Sequence, residues 1–327
     1  MILRPYRLVR RWWIVTALLV AAPSQSPIIR DFTQKYPLRE AKRLAWLNNW
    51  TAAEEVLMRS NFKPADEAAS LFSRAVQIRG NIESTPFPDA AAEVTSMLAS
   101  DAARNDFELR LQLLSIEGDV EFQYDLAAAQ RTWEEAKRLA AAHKQWQWEA
   151  RAEGELGAIA FLNGEIFTAT RLVTEAFLKA ELSGDVASRM RYCSDLGEGF
   201  AEYGRSADAI RFFDKALALA ASTPDVYFPF TAYLGKARLL AATGHAAEGL
   251  RMLHDALNDS RLKNLKVREA RTLTLLGEVA ASAGNREEAI ASLTSATDVA
   301  QGAGLAARGC SQCFSDDAWP ASYLIYV

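Results

Sequence analysis

Three cysteines and three histidines in 327 residues set narrow limits on covalent and metal chemistry. Cys310 and Cys313 have the C-x-x-C spacing of redox and metal sites, yet neither a second cysteine pair nor a histidine pair lies near them. No βαβ pattern surrounds them either. Cys193 falls inside a helical pattern and reads as a small buried apolar residue. His143 is remote from the other two histidines, and neither His245 nor His254 is close in sequence to Cys193. A Cys–His nucleophile needs both groups within hydrogen-bond reach, and nothing in the pattern brings them together. There is no GxSxG elbow, glycine-rich phosphate loop, HExxH or EF-hand loop. The acidic pairs Glu54-Glu55, Glu134-Glu135 and Glu287-Glu288 fall on the first turns of helical segments, where they match the positive helix end. Neither a catalytic set nor a metal or cofactor site is expected.

The elements that would position any site repeat with a period of forty. Gly164, Gly204, Gly244 and Gly284 share one phase, with Tyr124 at the fifth step, although glycine occurs only 17 times in the chain. Five residues after each stands a small residue (Ala129, Ala169, Ala209, Gly249, Ala289). Four further on stands a bulky one (Trp133, Val173, Phe213, Leu253, Leu293), and three beyond that Ala136, Ala176, Ala216, Ala256 and Ala296. Spacings of four and three put these on one helical face, small residues admitting a neighbouring helix and the bulky one filling the gap. Leu156-Gly157, Leu196-Gly197 and Leu276-Gly277 precede the hinge glycines by a constant interval. Each hinge glycine tolerates the positive φ that closes one helix before an antiparallel partner.

A Leu-Gly pair, an aromatic three residues on, and then small, bulky and small residues resemble the tetratricopeptide repeat. The third unit carries the pattern most fully, with Leu196, Gly197, Phe200, Ala209, Phe213 and Ala216 in register. The second and fifth also match. The fourth has Lys236-Ala237 in place of Leu-Gly, and the first has Ile116-Glu117 with Gly118 displaced by one. The family's unit is shorter than forty residues with the same internal spacing, so the extra residues are expected between a second helix and the next first helix. Helices of about 15 residues would follow, similar to the elongated repeats of MalT-like regions. The resemblance implies an all-α, right-handed superhelical α-solenoid of antiparallel helix pairs over residues 108–304. It implies a non-catalytic scaffold that binds a protein or peptide on its concave face. It leaves open a second reading, the sensory part of a larger signalling protein whose effector, such as a CHAT domain, is missing.

Outside the array, residues 28–107 read as a degenerate helical cap, with helix pairs around 38–60 and 65–101 and the helix-breaking "STPFP" inside the second. Residues 1–27 begin with Arg4, Arg7, Arg10 and Arg11 and continue in an apolar run from Trp12 to Ala22. Eleven residues of helix reach about 16 Å, short of the hydrocarbon core. A secretory signal or a short uncleaved anchor is expected, with Pro23 hindering cleavage after Ala22, and the rest of the chain is exported to the periplasm or the exterior. Membrane contact is expected only through this segment. The tail, 305–327, lacks helical period and places Asp316-Asp317 where a further unit needs Leu-Gly, as a truncated or frame-shifted end would.

Net charge is −4, and without the four N-terminal arginines it is −8, which argues against a nucleic-acid partner. What remains is a surface. Six residues before the Leu-Gly glycine the chain repeats Arg151, Arg191 and Arg271, with Thr231 in the fourth unit. One residue after it stand Ala158, Glu198, Arg238 and Glu278. In the resembled family such first-helix positions face the groove. A row of arginines could grip acidic side chains or a carboxyl terminus of a partner, or it could form salt bridges between repeats. The chaperone-type carboxylate clamp needs Lys and Asn at positions that here hold Gly154, Ser194, Leu234 and Thr274.

Overall fold

A computed structural model describes residues 27–82 and 86–302. The basic N-terminal segment, the tail and the Cys310/Cys313 pair lie outside the described residues. Among the described residues there are fifteen α-helices and no strand. The first five are α1 (Pro27–Trp46), α2 (Trp50–Arg59), α3 (Glu67–Gly80), α4 (Phe87–Leu98) and the short α5 (Asp101–Asn105). The array follows as α6 (Phe107–Glu121), α7 (Leu126–Ala142), α8 (Trp146–Leu162), α9 (Ile166–Ser183) and α10 (Val186–Glu202). It continues as α11 (Ser206–Ser222), α12 (Phe230–Ala242), α13 (Ala246–Leu262), α14 (Lys266–Ser282) and α15 (Arg286–Gly302). None of the described helices is long and apolar enough to cross a membrane.

From α7 onward the chain alternates helices of seventeen residues with short turns, α9 being eighteen and α12 thirteen. The four hinge glycines close the first helix of each unit at φ between 71° and 91°. The residue after each donates its N–H five residues back: Glu165 to Ala160 O at 2.8 Å, Arg205 to Phe200 O at 2.9 Å, His245 to Leu240 O at 2.8 Å and Asn285 to Ala280 O at 2.8 Å. That bond satisfies a carbonyl the helix end would otherwise leave orphaned. Turns between units are built the same way, on Lys144, Gly184 and Asn264 at φ 56°, 70° and 54°. There Gln145, Asp185 and Leu265 donate to Ala140, Ala180 and Ser260. The backbone period is therefore twenty residues, half the sequence period. Longer helices, of about fifteen residues, were expected from the long unit, and both helices of a regular unit run to seventeen.

Two positions depart from the rule. Tyr124, at the hinge phase of the first unit, is not left-handed, and Asp125 instead donates four residues back, to Glu121 O. At the turn between the third and fourth units the phase falls on Pro224, whose ring excludes positive φ. Helix ends at Ser222, residues 223–229 run non-helically past a left-handed Asp225, and α12 starts late behind Pro229.

Packing follows the small–bulky–small reading. Ala209, Phe213 and Ala216 are fully buried, as is Leu253, with Trp133 and Val173 nearly so. Leu293 is 41% exposed, because no described helix follows α15. Burial of a bulky side chain such as Phe213 or Leu253 contributes about 1.5–3 kcal/mol. The Leu-Gly glycines mark helix crossings: a Cβ on Gly157 would meet Val173, and one on Gly197 the ring of Phe213. The two irregular units reach the same end differently. Gly118 lies under the Trp133 indole, and Gly235, two residues before the expected place, lies against Phe213 and Glu198.

The N-terminal helices do more than cover one end. The α1–α2 turn, left-handed at Asn48, meets the array at points far along the chain. Arg43 pairs with Asp225 at 2.8 Å, Asn49 Nδ2 donates to Asp225 O at 2.9 Å, and Tyr227 N–H donates to Leu47 O at 3.3 Å. The non-helical segment forced by Pro224 is thus the docking strap for the first helix pair.

Candidate protein-interaction site

Three of the four arginines singled out in the sequence are turned to internal use. Arg151, on α8, reaches Asp185 through Nε at 3.2 Å and the carbonyl of Trp46 through Nη2 at 2.6 Å. Its guanidinium also stacks 3.5 Å from the Trp46 ring centre, and Trp148 meets Trp46 edge-on at 5.0 Å. Arg191, on α10, bonds Glu155 of the preceding unit, and Arg238, on α12, bonds Glu198 with Glu202 at 3.9 Å. Arg271 lies partly buried on α14. Within the row, Arg151 and Arg191 thus form salt bridges between repeats.

The electrostatics of this ladder follow from burial. Desolvation pushes Glu155 up to about 8 and Glu198 up to about 7, against the pull of Arg191 and Arg238 respectively. Burial also raises Glu278, opposed by Arg238. It works against the Arg191 cation as well, but Glu155, Asp119 and Asp195 outweigh it and keep the guanidinium protonated. Asp185 shows the balance tipping the other way. Burial disfavours its charge, yet Arg151 and Ser188 hold its carboxyl below the ordinary value while it also caps α10. The sequence row missed Glu155 and Asp195, which stand forty residues apart and each four residues after an arginine of the row.

The remaining candidates offer no chemistry. Cys193 is buried, and burial pushes its thiol up to about 12, far from a reactive thiolate. His254 meets only Glu288, at 3.0 Å on an exposed surface, and His143 stacks on Phe107 at 4.1 Å. Among the described residues no group of His, Cys, Asp and Glu is placed to hold a metal.

An apolar groove lies where α8, α9 and α10 come together at their hinge ends. Its space of about 60 Å³ is lined by Phe161, Ile166, Val173, Leu196, Gly199 and Phe200, among others. Phe167, 85% exposed, adjoins Ile166 in the chain, and Tyr203, which lines the groove, is 60% exposed. Phe200 is fixed by stacking on Phe212 at 5.3 Å and by Arg205 4.7 Å above its ring. Acidic groups dominate the surroundings. Asp195 lines the groove, Glu165 and Glu202 adjoin it in the chain, and Arg205 is neutralised by Asp208 at 2.5 Å. Between units, Phe230 at the start of α12 is buried as core, while Trp146 at the start of α8 and Phe228 are exposed by 48% and 43%.

Neither a family model nor a curated protein matches the sequence. Solved structures do. The fold is similar to a Rap protein complexed with competence and sporulation factor, with a TM-score of 0.62 at 13% identity over 83% of this chain and 77% of that one. The chain folds as a tetratricopeptide-like α-solenoid. Weaker likenesses are a signal transduction ATPase with a tetratricopeptide repeat sensor from Pyrococcus horikoshii and a tetratricopeptide repeat protein from Parabacteroides merdae. The first has a TM-score of 0.49 at 12% identity, over 85% of this chain and 43% of that one. The second has 0.46 at 14% identity, over 82% and 93%. At these identities the likeness concerns architecture alone.

Proposed function

We propose that the solenoid is a non-catalytic scaffold that takes a polypeptide segment in the groove between α8, α9 and α10, anchored by an apolar side chain flanked by lysine or arginine. The observation that carries this reading is the groove itself: apolar walls, aromatic residues left in solvent, and an acidic margin whose neighbouring cations, Arg171, Arg205 and Arg238, are each paired with an acid. Exposed aromatic patches of this kind are binding surfaces more often than idle ones, and the charge around them selects the sign of the partner. The Rap protein named above was solved with a bound factor, which fits a solenoid that holds a ligand. The arginine row then belongs to stability, and the binding surface shifts from the row to the groove. The basic and apolar residues at the N-terminus support an exported or tethered location for this scaffold.

Gly199 supplies the test, because a Cβ there would stand in open space at the groove wall. The full chain is screened on a random peptide array. Selected peptides should share an apolar residue with flanking Lys or Arg, and Gly199→Leu should abolish the selection while leaving Tm unchanged or raised. Absence of that consensus, or its persistence in Gly199→Leu, would overturn the reading.

A further inference from the structure

The chemistry that fits the groove is also displayed on the chain's own surface. Leu262, the last residue of α13, is 88% exposed, with Arg261 and Lys263 on either side of it. It stands at the turn between the fourth and fifth units, where Asn264 is left-handed. From Asp259 to Glu269 that turn carries four cations (Arg261, Lys263, Lys266 and Arg268) against two acids, a net charge of +2. Arg261 and Lys266 both pair with Glu269, at 2.8 and 2.9 Å, and Lys263 pairs with Asp259 at 2.9 Å. The fold gains little from this leucine, because a side chain so exposed leaves almost no apolar surface to bury. Leu182 occupies the same phase eighty residues earlier and is 85% exposed, but its neighbours are Glu181 and Ser183. Of the two, only Leu262 carries flanking cations.

Groove and leucine match in size and in charge. The groove's space of about 60 Å³ takes about four to six waters at roughly 10–15 Å³ each, about the room of an isobutyl group. Glu165 and Glu202 are exposed at its margin, and the arginines near it are each paired with an acid. The two cannot meet within one chain. The groove sits on the hinge edge of the second and third units, where α8 and α10 end. Leu262 sits on the opposite edge, where second helices end, and in the fourth unit. We propose that the groove of one copy takes Leu262 of a second copy, so that the protein associates with itself head to tail. This rests on the groove being a peptide site, and names a second copy of the chain as its partner. Because leucine and groove are different surfaces, each pair of copies keeps one of each unused, and association continues beyond dimers. One side chain and its rim bury far less than the roughly 1,200 Å² of a stable interface, so the association is weak and reversible.

Sedimentation equilibrium of the full chain supplies the test. The weight-average mass should climb with protein concentration, past that of a dimer. Leu262→Gln keeps a helix-compatible side chain and opens no void, because the residue is exposed. It should weaken association about tenfold or more, by placing an amide in apolar surroundings. Gly199→Leu, which fills the groove, should do the same. Mixing the two variants is decisive. Only the intact leucine of one and the intact groove of the other can meet, so the mixture should form heterodimers and grow no further. A wild-type chain that stays monomeric, a Leu262→Gln chain that associates like wild type, or a mixture that stays monomeric would overturn the proposal. Peptide selection by Leu262→Gln separates this from the groove itself. If that variant selects apolar peptides with flanking Lys or Arg while the wild type stays monomeric, the groove stands and self-association fails. If neither selection nor association is seen, both fail.

Discussion

The ring of Phe213, on α11, stands directly against Gly197 on α10, so close that a single added carbon would overlap it. Two residues on, Gly199 faces open space. One helix therefore carries two glycines with opposite roles. Gly197→Ala should destabilise the chain by about 1–3 kcal/mol through overpacking. Gly199→Ala should be neutral or stabilising by up to about 1 kcal/mol, since alanine is the better helix former. Urea unfolding followed by circular dichroism separates the two, and equal midpoints would show that the Gly197 contact is slack.

Glu155 and Glu198 make stability depend on pH with a definite sign. Both are raised by burial, to about 8 and about 7. Below the ordinary carboxylate range both states are protonated. Between that range and pH 7–8 the folded chain keeps protons that the unfolded chain has released. Stability from these two groups is therefore lost as pH rises through 7 and 8. The wild-type Tm is expected to be higher at pH 5.5 than at pH 8.5, and the double variant Glu155→Gln, Glu198→Gln should narrow that difference. A wild-type chain equally stable at both values would contradict the assignment.

Asp185 has the opposite sign. Its carboxyl is held below the ordinary value, so its contribution is complete above that value and lost as pH falls through the lowered one. It both caps α10 and neutralises Arg151, whose side chain also grips the Trp46 carbonyl. Asp185→Ala should cost about 3 kcal/mol, from a lost cap and a stranded buried cation. It should also speed amide exchange at Tyr227, which bonds the α1–α2 turn at Leu47. A loss of stability with Tyr227 protection intact would show that Arg151 does not couple the array to the first helix pair.

The sequence displayed the solenoid through its scarcest signal. Four of 17 glycines shared one phase, because only a residue free to adopt positive φ closes these helices well. The matching turns between units escaped notice, since Lys144 and Asn264 take the same conformation without being glycine. Glu155 and Asp195 were legible in principle, as acids four residues after the row's arginines. The strap on the α1–α2 turn was not legible: Arg43 and Asp225 are 182 residues apart, and no periodicity links an irregular loop to a turn. The groove was hidden for a related reason. Phe161, Ile166, Phe200 and Tyr203 look like ordinary hinge and core residues until three helices are placed together.

Lys144 offers a direct check on the twenty-residue backbone period. It sits at φ 56°, where Gly184, at the same phase one unit later, has φ 70°. A side chain in this conformation costs roughly 1–2 kcal/mol relative to glycine, partly offset because glycine gains more freedom on unfolding. Lys144→Gly should therefore raise stability by up to about 1 kcal/mol, and Gly184→Ala should lower it by about the same. Lys144 is exposed and makes no described side-chain contact that the change would remove. Denaturant midpoints for the two variants should move in opposite directions. A destabilised Lys144→Gly would mean that the turns between units are not the equivalents of the glycine hinges.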